Sequence, residues 1–329
     1  MTQLAIGIDV GGTKIAGGLV DPEGRILYSS KVPTPPQFTK LERDLLQLTD
    51  SLLEAVGALA EQSRSSLTIE GIGVAVPGVV DRKEGIAIGA CNLPWQEFAI
   101  KELLENRYQL RTRIENDADA AALGVYRYVP EAKGIENFVF MTIGTGVGGG
   151  IILNGKLHGG EWPLAGEVGH MIIVADGPEC NCGSRGCLEA LASGMVIGRR
   201  GLEKAQTEQR GYLWSAFEER GGVTAADVVT GAEQGDALAQ EVLREAARFL
   251  AIGMINLQRI LSPEAIIVGG GVVKESSILL NYAREALPDV HPGIRPRIIH
   301  VKGGSTSGVQ GAAAIVWEEI VQEDKCKKP

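Results

Sequence analysis

The chain has 329 residues, 44% of them hydrophobic and 22% charged, which excludes a disordered chain or a coiled coil and leaves room for two ordinary domains. Glycine stands out at 44 residues, about 13% against about 7% in ordinary proteins, without the Gly-X-Y period of collagen, so it marks turns or close backbone approaches. A formal charge of −9 without a basic stripe argues against nucleic acid, no apolar run reaches the roughly 18 residues of a membrane span, and no secretory signal opens the chain, so a cytoplasmic protein is expected.

Leu4–Val10, Lys14–Val20 and Ile26–Val32 are short apolar segments separated by Gly11-Gly12 and by the turn Asp21-Pro22-Glu23-Gly24. They predict an antiparallel three-strand meander. Apolar residues at Leu45, Leu48, Leu52, Val56 and Leu59 predict a helix over Leu41–Ser63. A buried strand, Gly71–Val76, ends at Pro77-Gly78. A helix over Gln96–Tyr108, a strand Thr112–Glu115 and an alanine-rich helix Asp117–Tyr128 follow. A second strand cluster starts with Asn137–Ile143, a glycine run, Gly149–Leu153 and the hairpin turn Asn154-Gly155. This repeats the plan of residues 4–32 and suggests two related domains. Gly201–Gly222 is polar and charged and reads as a surface loop or lid. A helix over Asp236–Leu261, a strand Ala265–Val268 entering Gly269-Gly270-Gly271, a helix to Leu287, a strand Arg297–Val301 and a helix Val309–Val321 complete an α/β alternation.

Several segments carry chemistry. Asp9-Val-Gly11-Gly12-Thr13-Lys14 lies between two predicted strands. Its glycines let backbone N–H groups face an anion, Thr13 and Lys14 add a hydroxyl and a positive charge, and Asp9 suits Mg²⁺. It lacks the spacing of a Walker A loop, and a plain hairpin remains the alternative. Gly144-Thr145-Gly146-Val-Gly148-Gly149 matches the dinucleotide pattern G-x-G-x-x-G, but that pattern needs a helix next, and a strand and hairpin follow. A second phosphate loop explains these residues better. Gly269–Gly271 offers bare backbone to a base or ribose, or else forms a tight turn. Glu115-Asn116-Asp117-Ala-Asp119 spans a strand-to-helix junction. A carboxylate there can take a proton from an attacking hydroxyl, or Asn116 or Asp117 simply caps the helix.

Five cysteines, an odd number, argue against a disulfide framework. Cys180, Cys182 and Cys187 form a C-x-C-x4-C knuckle with Gly183 and Gly186, and His170 lies ten residues upstream. These four soft or borderline ligands suit a closed tetrahedral Zn²⁺ site, structural because no position stays open for water. Three unligated thiols are the alternative. Glu167 and Glu189 flank this cluster and would be held near one another, as acceptors for a polyhydroxylated ligand or as solvated surface charges.

Taken in this order, Asp9–Lys14, Pro77–Asp81, Asn92, Asn116-Asp117, Gly144–Gly149, Glu167–His170 and Cys180–Glu189 resemble the ROK family of bacterial sugar kinases and sugar-responsive repressors. The string C-x-C-G-x-x-G-C-x-E is the most specific part of the match. The resemblance implies a two-domain, actin-like (ribonuclease H-like) ATPase fold around a cleft. Residues 1–117, completed by a C-terminal helix over 305–322, would form the smaller domain, and residues 118–304 the larger one with the zinc site. It implies Asp117 as the base that deprotonates a sugar 6-hydroxyl. Gly78, Asn92, Asn116, Glu167, His170 and Glu189 would contact the sugar, with His170 ligating zinc through its other ring nitrogen. Asp9, Gly11, Gly12, Thr13 and Lys14 would be the first phosphate motif, Gly144, Thr145 and Gly146 the second, and Gly269, Gly270 and Gly271 the nucleotide-base loop, for ATP with Mg²⁺.

The implied activity is ATP-dependent phosphorylation of a hexose, with glucose first and fructose, allose, N-acetylmannosamine or N-acetylglucosamine as alternatives, in a homodimer or homotetramer. A non-catalytic sugar-sensing regulator is the other reading. Family repressors carry an N-terminal winged-helix domain, for which a phosphate strand starting at residue 4 leaves no room.

Overall fold

A computed structural model describes residues 2–35, 38–63, 66–89, 97–289, 294–302 and 308–327. The chain divides into two units, Met1–Lys133 with Gly159–Ala165 and Thr306–Pro329, and Gly134–His158 with Gly166–Ser305.

In the first unit β1 (Thr2–Val10), β2 (Lys14–Val20) and β3 (Ile26–Pro33) form the expected antiparallel meander. α1 (Phe38–Ser63) leads to β4 (Leu67–Val76), which pairs parallel with β1. A small antiparallel pair, β5 (Val79–Asp81) and β6 (Ile86–Gly89), precedes α2 (Ile100–Tyr108). β7 (Thr112–Asn116) then pairs parallel with β4, and α3 (Asp117–Tyr128) follows it without a loop. Because side chains alternate along a strand, the two faces of this sheet are built differently. Leu4, Ile6 and Ile8 pack with Leu45, Leu48 and Leu52 of α1 in one core. On the other face Ala5 packs with Val309, Ala313, Val316 and Trp317 of the chain's last helix, α10 (Gly308–Lys327). That helix comes so near that a Cβ on Gly7 would overlap the Val309 carbonyl, and one on Gly73 the Ala312 carbonyl.

The second unit opens with β8 (Phe138–Ile143), β9 (Val147–Leu153) and β10 (Lys156–Leu157), again an antiparallel meander. Five helices follow: α4 (Leu188–Ala192), α5 (Gly194–Glu208), α6 (Gly211–Arg220), α7 (Ala225–Glu233) and α8 (Ala237–Leu261). β11 (Ala265–Gly269) pairs parallel with β8, and after α9 (Ile278–Ala286) β12 (Ile298–His300) pairs parallel with β11. Leu243, Leu250 and Met254 of α8 share a core with Val139 and Met141 of β8 and Ile266 and Val268 of β11. The strand order β10-β9-β8-β11-β12 repeats the order β3-β2-β1-β4-β7 of the first unit, with the same parallel and antiparallel senses. A five-stranded plan used twice in one α/β chain is the actin-like ATPase fold.

Three expectations need correction. Gly201–Gly222 is no loop, because α5 and α6 occupy most of it. Gly201 and Ala205 are buried on one helix and Leu213 and Ala216 on the other, and such narrow apolar stripes suffice while charges cover the solvent side. The helix after Gly271 begins only at Ile278, beyond an intervening turn. The first unit runs past residue 117 to Lys133, because α3 packs on α10: a Cβ on Gly311 would lie 2.8 Å from the Ala120 carbonyl oxygen. Among the described residues no helix is long and apolar enough to cross a membrane.

Candidate functional site

The β7–α3 junction sets both Asn116 and Asp117. Asn116 is the cap of α3: its Oδ1 accepts from the Ala118 and Asp119 N–H groups at 2.8 and 3.2 Å. Its Nδ2 donates to the Gly78 carbonyl at 3.0 Å, which ties the turn between β4 and β5 to the junction. Asp117, the first residue of the helix, is exposed, and its Oδ1 accepts from the Ala118 N–H at 2.8 Å. Of the two alternatives the sequence leaves at this junction, capping falls to Asn116, and the neighbouring Asp117 carboxylate is exposed. Glu115 is buried beneath them, and burial pushes its carboxyl up despite the ion pair with Arg82 at 2.6 Å. Burial works against the Arg82 charge too, but its bonds to Glu115 and Asp119 outweigh that and hold it above the ordinary arginine value. Arg82 carries no motif signal, since its partners lie far along the chain.

Between β1 and β2 the Gly11 N–H donates to the Lys14 carbonyl at 2.9 Å, and Thr34 anchors the turn through the Gly11 and Thr13 carbonyls. Gly12, Thr13 and Lys14 are exposed. Asp9 sits at the base of this turn, where burial raises its carboxyl value and Lys14 opposes the rise. A Cβ on Gly308, the first residue of α10, would overlap the Asp9 carboxylate. That close packing is invisible in a sequence where the two lie so far apart.

In the second unit Gly144–Gly146 is the β8–β9 hairpin turn, with Ile143 opposite Val147, so the helix that dinucleotide binding requires is absent. The first amides of α5 hold this turn: Gly194 N–H donates to the Gly144 carbonyl at 2.9 Å and Met195 N–H to the Thr145 carbonyl at 3.3 Å. Gly270, at φ +99°, lies against Ile143, and the Val272 N–H donates to the Ile143 carbonyl at 2.9 Å. The two glycine loops therefore meet, and Gly144, Thr145 and Gly271 line one pocket of about 470 Å³ together with Met195, Arg199 and Thr224. That volume is within the usual span of small-molecule sites, about 300–1,000 Å³. The α5 and α7 residues of this pocket carried no motif signal, because they meet the glycine loops only through the fold. His300 Nε2 donates to the Val273 carbonyl at 2.5 Å and braces the turn beyond Gly271.

The ligand atoms of His170, Cys180, Cys182 and Cys187 all lie within 4.8 Å of one another. His170 Nδ1 is 3.6 Å from Cys180 Sγ, and Cys182 Sγ is 3.7 Å from Cys187 Sγ. A zinc tetrahedron has edges of about 3.5 Å between nitrogen and sulfur and about 3.8 Å between sulfurs, so these residues fit that ion. The knuckle is closed by backbone bonds from Cys180 N–H to Ser184 O at 2.9 Å and Gly183 N–H to Cys180 O at 3.0 Å. Gly186, at φ +69°, packs so tightly on the Val174 carbonyl that no side chain fits there. Bonding to the Ser184 N–H draws the Cys182 thiol down to about 7, whereas burial pushes Cys187 up to about 12 and raises Cys180. A bound dication would let three such neighbours share the thiolate form. His170 Nε2 points away from the sulfurs and lies 3.8 Å from Glu167 Oε2. Glu189, on α4, accepts from the Val147 N–H at 3.0 Å, beside the Gly144–Gly146 turn. Asn92 lies outside the described residues.

The sequence model of the ROK family matches residues 5–319. The chain is 36% identical over 322 residues to a glucokinase of Streptomyces coelicolor, covering 96% of this chain and 98% of that one. It is 32% identical to an N-acetylmannosamine kinase of Escherichia coli, covering 98% of this chain and all of the relative. The crystal structure of a ROK family glucokinase from Streptomyces griseus in complex with glucose and AMPPNP superimposes with a TM-score of 0.80 at 34% identity, over 96% of this chain and 99% of that one. Family match, relatives and fold agree, and the chain belongs to the ROK family.

Proposed function

We propose that the protein is an ATP-dependent sugar kinase that moves the γ-phosphoryl group of ATP to the 6-hydroxyl of a hexose, with glucose as first substrate. The observation that carries this reading is the division of labour at the β7–α3 junction, where Asn116 does the capping and the Asp117 carboxylate stands exposed at the head of the helix. Asp117 accepts the 6-hydroxyl proton as that oxygen attacks the γ-phosphorus. The bond from phosphorus to the bridging oxygen breaks, and ADP leaves with its electron pair. Such transfer needs positioning and charge stabilisation more than covalent chemistry from the protein. Gly11, Gly12, Thr13 and Lys14 serve one part of the phosphate chain, and Gly144, Thr145 and Gly146 another. Gly269, Gly270 and Gly271 border the seat of the nucleoside. Mg²⁺ carried with ATP supplies charge neutralisation, and Asp9 is the carboxylate suited to hold it, directly or through water.

On the acceptor side, Gly78, Asn92, Asn116, Glu167, His170 and Glu189 contact the hexose. The glutamates suit hydroxyl donors, and the Asn116 Nδ2 group has a second hydrogen beside the one it donates to the Gly78 carbonyl. We assign zinc to His170 Nδ1 and the three sulfurs, where four protein ligands leave no open position and confine the ion to holding the loop. The similarity to Streptomyces glucokinases supports glucose, and the N-acetylmannosamine kinase relative makes N-acetylhexosamines the second acceptor class. Comparing glucose with 6-deoxyglucose tests the reaction. Glucose 6-phosphate is expected from the first and no turnover from the second, whereas phosphorylation of 6-deoxyglucose would contradict the assignment.

A further inference from the structure

Two carboxylates that the reaction leaves unused bracket the base and its cap: Glu115, 4% exposed, near the end of β7, and Asp119, 3% exposed, on the first turn of α3. One side chain meets both. Arg82 Nε lies 2.8 and 2.6 Å from the two Glu115 oxygens, Nη2 lies 2.6 Å from Asp119 Oδ2, and Nη1 donates to the Gly159 carbonyl at 3.3 Å. All three guanidinium nitrogens are thus engaged, each by a different segment. Glu115 Oε1 in turn accepts from the Asn116 N–H at 2.9 Å, so the network reaches the backbone of the capping residue itself.

We propose that Arg82 is a positioning residue for phosphoryl transfer, an inference that rests on the reading of Asp117 as the base. Its planar fork fixes the angle at which α3 leaves β7, and with it the place of the Asp117 carboxylate, while Arg82 itself touches no substrate. A lysine is a point charge on a flexible stem and cannot hold two carboxylates and a carbonyl in one plane. Without the guanidinium, two buried carboxylates face each other across the junction, and one must take a proton or turn towards solvent. A displacement on the order of 1 Å at a reacting group can cost about 100-fold in rate.

Steady-state kinetics of the wild type, D117N, R82K and R82M with ATP and hexose test this, with calorimetric titration of hexose counting the competent sites in each protein. In R82M, kcat per competent site is expected to fall about 100-fold while the hexose KM and Kd move less than about threefold. R82K is expected to recover activity to within about tenfold of wild type without reaching it. A purely structural role would lower the number of competent sites and leave their kcat alone. If R82M does not fold, R82K decides: wild-type kcat per competent site in R82K overturns the proposal. Failure of the wild type to phosphorylate any hexose, or full turnover by D117N, refutes the base reading and takes this inference with it. Loss of turnover in D117N with wild-type kcat in R82K and R82M removes the role of Arg82 alone.

Discussion

Asn116 caps α3, and the proposal gives its neighbour Asp117 the work of the base; substitution separates the two roles. Asn116→Ala removes the acceptor of two helix N–H groups and the tie to Gly78, so it should cost about 1–2 kcal/mol in urea unfolding. Asp117→Asn leaves that cap in place and should lower kcat by about 10²–10⁴-fold while hexose binding by calorimetry persists. Similar losses of stability and of kcat in both variants would contradict the division. In the sequence, cap and base competed for this junction, because both functions draw on the same residue types at the same place. The donors around the Asn116 oxygen identify the cap, and only a folded backbone supplies them. Arg82 and Gly308 were not legible at all, since each acts on residues far away in sequence and neither sits in a recognisable pattern.

The cysteine knuckle is the cluster plainest from spacing alone, and the ligand atoms of His170, Cys180, Cys182 and Cys187 do gather within 4.8 Å of one another. Metal analysis should find about one zinc per chain. Chelation or Cys182→Ser should release it and raise hydrogen exchange over residues 171–187, and unchanged exchange after complete removal of zinc would contradict the loop-holding role. The helical character of Gly201–Gly222, by contrast, is hidden by charge density: within that stretch only Gly201 and Ala205 of α5 and Leu213 and Ala216 of α6 are buried. Another element-level device lies where the chain enters β8. Glu264 Oε1 accepts from the Glu136 and Asn137 N–H groups at 3.0 and 2.9 Å, and the Asn137 backbone bond, followed by that of Glu136, holds its carboxyl below the ordinary value. A depressed folded value means that the stabilisation is present above the unfolded carboxylate value of about 4.3 and is lost as pH falls through the folded one. Glu264→Gln should therefore lower the thermal midpoint at pH 7, and the gap to wild type should close under acidic conditions. An equal gap at both extremes would point to packing rather than charge.

At the scale of the molecule, one five-stranded plan is used twice, and the sequence carried its trace in two glycine-interrupted meanders. The glycine surplus was read as loops laid bare for phosphates and a base. Close backbone approach, the other expectation for the surplus, is met at Gly7 and Gly73, where an absent side chain lets α10 close on the sheet. Fold class and family were legible because the meanders and the short motifs are local in sequence, whereas the parallel pairings that complete each sheet are not. The sugar was not, because the side chains that would select it come from segments far apart in the chain. The central claim is that this chain is a working sugar kinase, and an ADP-release assay with ATP across hexoses and N-acetylhexosamines tests it most directly. The account predicts sugar-dependent ADP release, with glucose among the substrates and at least about 100-fold less from the Asp117→Asn variant. Folded, zinc-loaded protein that releases no ADP with any of these sugars, as a non-catalytic sugar sensor would behave, would contradict it.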